Sequence, residues 1–600
     1  MPLIGLALLG ACVDYGLEKV SGEGPQPGEA RPAEPLCPTE RVEAEPLSVV
    51  DLCPDPELPY DPFALEIEWQ YEDHKVLMHP VIASLNDDDG DGDIDGEDIP
   101  DIVVVDLDDW EEPGTLRALS GDGSGELLRS PHFDAYFGPA IGDIDGDGLP
   151  EIVGVMGDYR VRALDHTGAV KWTSDPVVPS MLLYFGQVAL ADFEGDGHIS
   201  VIAGSSILSG ADGRIEQVIF RDHGHFTPVV ADIDLDGRQE LLIGDGVYTG
   251  DGERLWATPW TTHWDCAPAV AQLDEDDEAE VMFACWGEIN IHEHDGTLIT
   301  SFQPVEPVQS MGAACIGDIT GDGAAEILIP NSVLLVAYTP AGEILWETQI
   351  VDASSAAGCS LFDLDGDGAQ EVLYGDEVEL MILDGRTGAR LFSDRTRGSD
   401  TGYDYPVVAD VDGDGQSEVV VVASGHFDGY QGVAVYGHPE GLPASGPIWP
   451  SYDYDTLKLD DDGRVVAAPE PFWLAHNLFH GRPAYTDTVG ADLVVQVDSV
   501  CVEGCAPDSL VHIALRLGNQ GPVDAEAVRV TLQGADGAVL RETVVGPLPS
   551  GQMGATRVWR VPYRVFADGA PTLTVSPTAQ VECGPADNVI TVPRPRCGGG

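Results

Sequence analysis

Basic residues are scarce: 28 lysines and arginines stand against 105 aspartates and glutamates, a formal net charge of -77 over 600 residues. So negative a surface repels phosphate, which excludes nucleic acid as a partner. No apolar run reaches 18 residues, so no membrane-spanning helix is expected. The chain has no GxSxG, HExxH or phosphate-binding loop, and no CxxC pair of the kind that builds a zinc site. No helical apolar period interrupts it. The apolar fraction, 43%, is that of a globular protein, so the charge does not imply disorder.

What is present is acid in clusters. "DDDGDGDIDGED" spans residues 87 to 98. Acids fall at Asp87, Asp89 and Asp91, glycine follows at Gly92, and acids return at Asp95 and Asp98. This is the spacing of a calcium-binding loop, with oxygens at positions 1, 3, 5, 9 and 12 and glycine at the turn. Shorter versions recur every 40 to 50 residues or so. They supply Asp143, Asp145, Asp147 and Glu151; Asp192, Glu194 and Asp196; Asp232, Asp234, Asp236 and Glu240; and Asp274, Asp276 and Glu280. Further along come Asp318, Asp322 and Glu326; Asp363, Asp365, Asp367 and Glu371; and Asp410, Asp412, Asp414 and Glu418.

Acids this close cannot pack while unpaired, and a doubly charged cation turns their repulsion into attraction. All of these residues are therefore candidate ligands of several structural calcium ions. About 30 carboxylates would be neutralised in this way, so the net charge overstates that of the loaded protein. Ser200, Gln272 and Thr320 replace acids, and Asp277 stands where glycine is expected. Weaker binding is expected in the loops that begin at Asp192, Gln272 and Asp318.

Each acidic loop has similar neighbours. A short run with small residues precedes it ("GPAIGDI", "TPVVADI", "YPVVADV"), and a β-branched run follows ("EIVGV", "ELLIG", "EVVVVA"). Then come a run ending at a turn and a fourth that often ends in tryptophan ("AVKWTS", "RLWAT", "EILWET"). Four short strands per repeat predict an all-β propeller blade. Eight loops predict eight blades, with seven as the alternative. "FALEIEW", residues 63 to 69, has no loop of its own and is expected to pair with the last blade and latch the ring; the segment around Trp449 competes for that place. The expected layout is a propeller over 61–488 and, from alternating strands, an immunoglobulin-like sandwich over 491–600.

These loops, each between two strands, resemble the FG-GAP or VCBS repeats of integrin-α-type propellers, and "YFGPAIGDIDGDGLPEIV" (136–153) carries the Phe-Gly. The resemblance implies structural calcium and says little about activity. Residues 447–484 resemble the segment that closes such propellers in bacterial surface proteins. "LRLGNQGPVDAEAVRVTL" resembles the CARDB type of module.

"MPLIGLALLGAC" (1–12) resembles a bacterial lipoprotein signal, with Cys12 as the lipidated residue, and 13–60 reads as a flexible tether. A lipid on Cys12 would then be the one contact with a membrane. The other ten cysteines group as Cys37 with Cys53, Cys266 with Cys285, Cys315 with Cys359, and Cys501, Cys505, Cys583 and Cys597 with pairing open. Disulfides in an oxidising compartment are expected. The protein is thus expected in the outer membrane as a lipoprotein, or free in the periplasm or outside the cell.

His223 and His225 read as ordinary loop histidines, since other ligands at suitable spacing are missing. Aromatics at Tyr136, Phe137, Tyr184, Phe185, Phe226, Trp264, Tyr403 and Tyr405, with His263, fall in the links between blades. They either pack there or ring the face opposite the metals, where a protein or sugar could bind. No catalytic residue is assigned. The expected function is non-enzymatic binding or adhesion to a protein or carbohydrate on a cell surface. The alternatives are a calcium-dependent polysaccharide lyase, disfavoured by the scarcity of basic residues, and a scaffold in a surface complex.

Overall fold

The computed structural model describes residues 45–46, 60–484 and 493–595, apart from 89, 91, 109–112, 178–184, 220–226, 259–265, 275, 286, 306–311, 427–428, 454–455, 468, 504–505, 520–524, 526, 536–537, 568 and 578–588. The chain divides into two compact units, one of residues 52–489 and one of 1–51 with 490–600.

The described residues of the first unit, 60–484, form a β-propeller. Among the described residues the unit holds eight sheets, antiparallel except where Phe137–Gly138 pairs parallel with Gly186 and Gln187 at the edge of the third. The second is typical: Ala140–Gly142, Glu151–Val155, Arg160–Asp165 and Val170–Pro176 pair in order. The first is built on Val81–Ala83, and the third to eighth start at Gly186–Ala191, Val229–Ala231, Ala267–Ala271, Cys315–Gly317, Cys359–Phe362 and Val407–Ala409. Burial explains the composition of these strands. The second strands are covered on both faces, as in Asp101–Leu107 and Glu418–Ser424, so after their leading acid they are largely apolar runs. Fourth strands such as Ile344–Gln349 alternate between exposed and buried, as rim strands must.

The eighth sheet has only three strands from its own stretch of chain. Its fourth is Glu66–Tyr71, which pairs antiparallel with Gln431–Gly437, as expected of "FALEIEW". This closure covers the edge that Gln431–Gly437 would otherwise expose. Trp449 has another role: it pairs with Ile82 on the first strand of sheet one.

Trp449 belongs to a segment, 446–482, that runs among the first strands of the sheets. Gly446 receives the N–H of Asp410 in sheet eight, Pro450 that of Ile141 in sheet two, and Phe479 that of Ile316 in sheet six. Leu361 of sheet seven bonds to both His480 and Arg482. Asp453, paired with Lys458 and buried, accepts the N–H of Val230 in sheet four at 3.2 Å. Backbone groups at the inner edges that would otherwise be buried and unpaired are satisfied in this way.

Tryptophans staple neighbouring sheets. Trp172 of sheet two donates to Gly210 of sheet three at 2.6 Å, Trp256 of sheet four to His294 of sheet five at 2.8 Å, and Trp346 of sheet six to Gly385 of sheet seven at 2.6 Å. Disulfides add two clamps, Cys266–Cys285 within sheet five and Cys315–Cys359 between sheets six and seven.

The second unit is a two-layer β-sandwich. One sheet carries Leu493–Val502, Leu510–Asn519 and Arg557–Pro562, with Glu45–Pro46 and Gln552–Met553 at its edge. The other carries Val539–Val545, Val528–Gln533, Thr572–Pro577 and Val589–Thr591. Ile513, Leu515, Val530, Leu532, Trp559 and Leu573 form the core between them. Cys501 is disulfide-bonded to a cysteine outside the described residues. Cys12, Cys37, Cys53, Cys505, Cys583 and Cys597 also lie outside them, as do the signal-like stretch and nearly all of 13–60.

Candidate metal centres

Every acidic stretch lies in the turn between the first and second strands of its sheet. Within the turn the acids divide the work. The first, at Asp143, Asp192, Asp232, Asp318, Asp363 and Asp410, accepts the N–H of the glycine five residues on, at 2.7–2.9 Å. That glycine has φ between +84° and +89°, a conformation in which a side chain is strained. Asp147, Asp196, Asp236, Asp322, Asp367 and Asp414 each accept the N–H two residues on. The closing glutamates Glu151, Glu240, Glu326, Glu371 and Glu418 begin the second strands. One oxygen of each takes the N–H of the residue after the first aspartate, at 2.8–3.2 Å.

In five loops, one oxygen from each of three acids lies within 4.8 Å of the others: Asp143, Asp145 and Glu151; Asp232, Asp234 and Glu240; Asp274, Asp276 and Glu293; Asp363, Asp365 and Glu371; and Asp410, Asp412 and Glu418. Hard carboxylate oxygens on a tight turn are a donor set for a divalent cation. Two further observations fit a cation. Oδ1 of Asp101 and Oε1 of Glu280 are buried with no hydrogen-bond partner.

The electrostatics agree. Burial, with neighbouring carboxylates adding to it, pushes Glu240 up to about 8, Glu371 to about 9 and Glu418 to about 10. Glu151, Glu280 and Glu326 rise to about 7, and Asp101 to about 8, for the same chief reason. Without a metal ion these groups hold protons near neutral pH.

The first loop departs from the sequence reading in its details. Asp98 accepts the N–H groups of Asp88 and Asp95 at 2.7 and 3.0 Å, and so caps the turn. Asp87 does likewise for Gly90, and Asp95 for Glu97. Asp101 stands where the other loops have glutamate: it begins the second strand and accepts the N–H of Leu85 at 3.2 Å. The sequence reading missed it because the twelve-residue spacing ended the motif at Asp98. Aligning the loops on the start of the second strand would have found it. Asp89 and Asp91 lie outside the described residues.

The fifth loop is rebuilt. Asp277 does not adopt the left-handed conformation of the glycines, and the Gln272 side chain donates to the carbonyls of Asp276 and Glu278. Glu280 accepts the N–H of Leu273, and Glu293, from the turn between the third and fourth strands, joins Asp274 and Asp276. Nothing local in the sequence ties Glu293 to that loop; only the hairpin geometry does. Asp192, Glu194 and Asp196 form no such triple among the described residues, and neither do Asp318, Asp322 and Glu326. Glu194 is instead ion-paired with Arg238 at 3.1 Å.

The link aromatics among the described residues are packed. Phe137, Tyr403 and Tyr405 are buried, and half-buried Phe185 sits edge-on to Tyr403 at 5.8 Å and to Tyr136 at 5.6 Å. These five form no exposed platform. Tyr184, His223, His225, Phe226, His263 and Trp264 lie outside the described residues.

Residues 345–421 match the family model of an FG-GAP-like repeat. No curated protein matches the chain. Among solved structures, the V. cholerae biofilm matrix protein Bap1 is similar in fold, with a TM-score of 0.62 at 22% identity over 70% of this chain and 99% of that one. Rhamnogalacturonan lyase YesW gives a TM-score of 0.46 at 15% identity over 70% and 82% of the two chains. A quinohemoprotein alcohol dehydrogenase from Comamonas testosteroni gives 0.43 at 12% identity over 66% and 80%.

Proposed function

We propose that this chain is an exported, non-enzymatic binding or adhesion protein whose propeller is stabilised by several calcium ions. The observation that carries the reading is the convergence of three carboxylates at five separate sheets, four times wholly within the loop that joins the first strand to the second and once with Glu293 added from the neighbouring turn. Such sites lock hairpins and leave no substrate-shaped cleft of their own. The 446–482 segment, bonded to the innermost strands, supports a rigid body whose contacts lie on its outer faces. Two intrachain disulfides support an oxidising compartment. The fold is shared with a protein named for the biofilm matrix, which accords with a surface role.

The ligand proposed is a protein or a carbohydrate on a cell surface, and any membrane contact runs through a lipid on Cys12. With 28 basic residues against 105 acidic, an acidic polysaccharide would meet repulsion, which argues against a lyase. Elemental analysis and a thermal melt with and without chelator test the metal. A glycan array followed by assay for unsaturated sugar products tests the binding. Bound calcium, ligand retention and no product support the reading. Turnover of a polysaccharide, or an unchanged melt in chelator, would overturn it.

A further inference from the structure

The second loop differs from the other four carboxylate clusters because a cation of the chain's own already sits in it. Lys171 lies on Val170–Pro176, the outer strand of the same sheet, and reaches inward over the turn. Its Nζ lies 2.5 Å from Oδ2 of Asp145, 2.8 Å from Oε1 of Glu151 and 3.2 Å from Oδ2 of Asp147. The ammonium thus spends all three of its donors on three acids of one loop. The other oxygen of Glu151 is held by the N–H of Ile144, and both oxygens of Asp143 accept backbone N–H groups. At Glu280, by comparison, one carboxylate oxygen is buried with no partner at all.

At the other three sheets whose trio lies within one loop, and at sheet five, the equivalent position holds no cation, although Arg254 and Arg390 stand elsewhere on the same strands. That position is Leu255 in sheet four, Ile299 in sheet five, Leu391 in sheet seven and Glu68 in sheet eight. Arg386 offers a useful contrast. It grips Asp367 in the seventh loop but leaves the converging trio Asp363, Asp365 and Glu371 to one another. Lys171 bonds to two members of the trio in its own loop.

We propose that the Lys171 ammonium takes the cation seat of the second loop, so that this turn is held without calcium while the others depend on it. A calcium ion needs its carboxylate oxygens at about 2.3–2.6 Å on all sides and could enter only by expelling the ammonium. The inference rests on the calcium reading of the other loops, and the test separates the two.

Calcium bound per chain is measured by equilibrium dialysis for the wild type, Lys171→Met and Lys171→Arg. Lys171→Met is expected to bind one ion more than wild type, and Lys171→Arg the same number. If wild type binds several ions and Lys171→Met gains none, this inference fails alone; if neither chain binds any, the calcium reading fails with it. A second measurement needs no variant. Acetylation of Lys171 in the wild-type protein, followed by mass spectrometry, is expected to be slow in chelator and equally slow in calcium. A rise in its labelling on adding calcium would mean that the metal displaces the side chain, and would overturn the proposal.

Discussion

The indole nitrogen of Trp69 donates to the carbonyl of Gly121 across 2.7 Å, joining a strand of the eighth sheet to a turn of the first. Three other tryptophans make the same bond between sheets two and three, four and five, and six and seven. The staple therefore occurs at alternate junctions, and the seam of the ring is one of them. Trp69→Phe keeps a ring in the contact and loses the bond. It is expected to cost about 1 kcal/mol in denaturant unfolding with calcium present. Trp346→Phe is expected to cost about as much, and a seam much weaker than that junction would contradict an equivalent role.

Stability without metal should depend on pH in an unusual sense. Glu371 and Glu418 have folded-state values of about 9 and 10, raised above those of an unfolded chain by burial and by neighbouring acids. Raised values mean that the folded protein holds these protons more tightly. Their favourable contribution is complete below about pH 4.5 and is lost as pH rises through the range up to about 10. In chelator the melting temperature is expected to fall steadily across that window. With calcium the fall should largely vanish, because a bound cation favours the ionised form. Differential scanning calorimetry in matched buffers measures both slopes.

Glu418→Gln should change sign with the metal. In chelator at pH 8 the amide removes a carboxylate that resists ionisation, and the melt is expected to rise. In calcium the same change removes a ligand charge and the melt should fall. Equal shifts under the two conditions would show that Glu418 does not meet a cation.

The two disulfides should not contribute equally. Cys315–Cys359 spans 44 residues and joins two sheets, whereas Cys266–Cys285 spans 19 and joins strands already paired. Each is expected to contribute about 2–4 kcal/mol. On loop length alone the longer exceeds the shorter by about 0.7 kcal/mol. Paired serine substitutions at each bridge, compared by urea unfolding, measure the order.

The buried pair of Arg397 and Asp404, 2.5 Å apart, sits with Ser399 and the carbonyl of Val422. Arg397→Ala strands a buried carboxylate and is expected to cost about 3–5 kcal/mol, whereas replacing both partners with apolar residues of similar volume should cost far less. The comparison is read from the same unfolding curves.

The repeat was legible because each sheet encodes itself locally. Small residues, an acidic turn and a β-branched run mark the first hairpin, and Gly148 or Gly368 marks the bend that only glycine adopts easily. The latch strand at Glu66–Tyr71 could be read because it had no loop of its own. What could not be read depends on contacts between distant parts of the chain. Gln272 looks like a lost ligand. In the fold its N–H and carbonyl bond to both ends of the Asn477 amide, at 2.9 and 2.8 Å, and Trp473 donates to Asp277 in the same loop. The loop with the poorest motif is thus propped from 200 residues away, roughly, which no local pattern reveals. Lys171 escaped for a similar reason: its partners are set by the reach of a side chain across a sheet.

The path of residues 446–482 also bears on the order of assembly. A nascent chain emerges from its N-terminus, so all eight sheets are synthesised before Trp449, Asp453 and Phe479 exist to bond with the inner strands of sheets one, four and six. Until then those inner edges must wait with their amides unpaired, and the first strand of the propeller, Glu66–Tyr71, waits almost as long as Ile82 does for Trp449 before its partner at Gln431–Gly437 is made. Completion of the domain is therefore a late, concerted event, and a chain truncated just after the last sheet would keep its hairpins yet remain prone to joining with its neighbours.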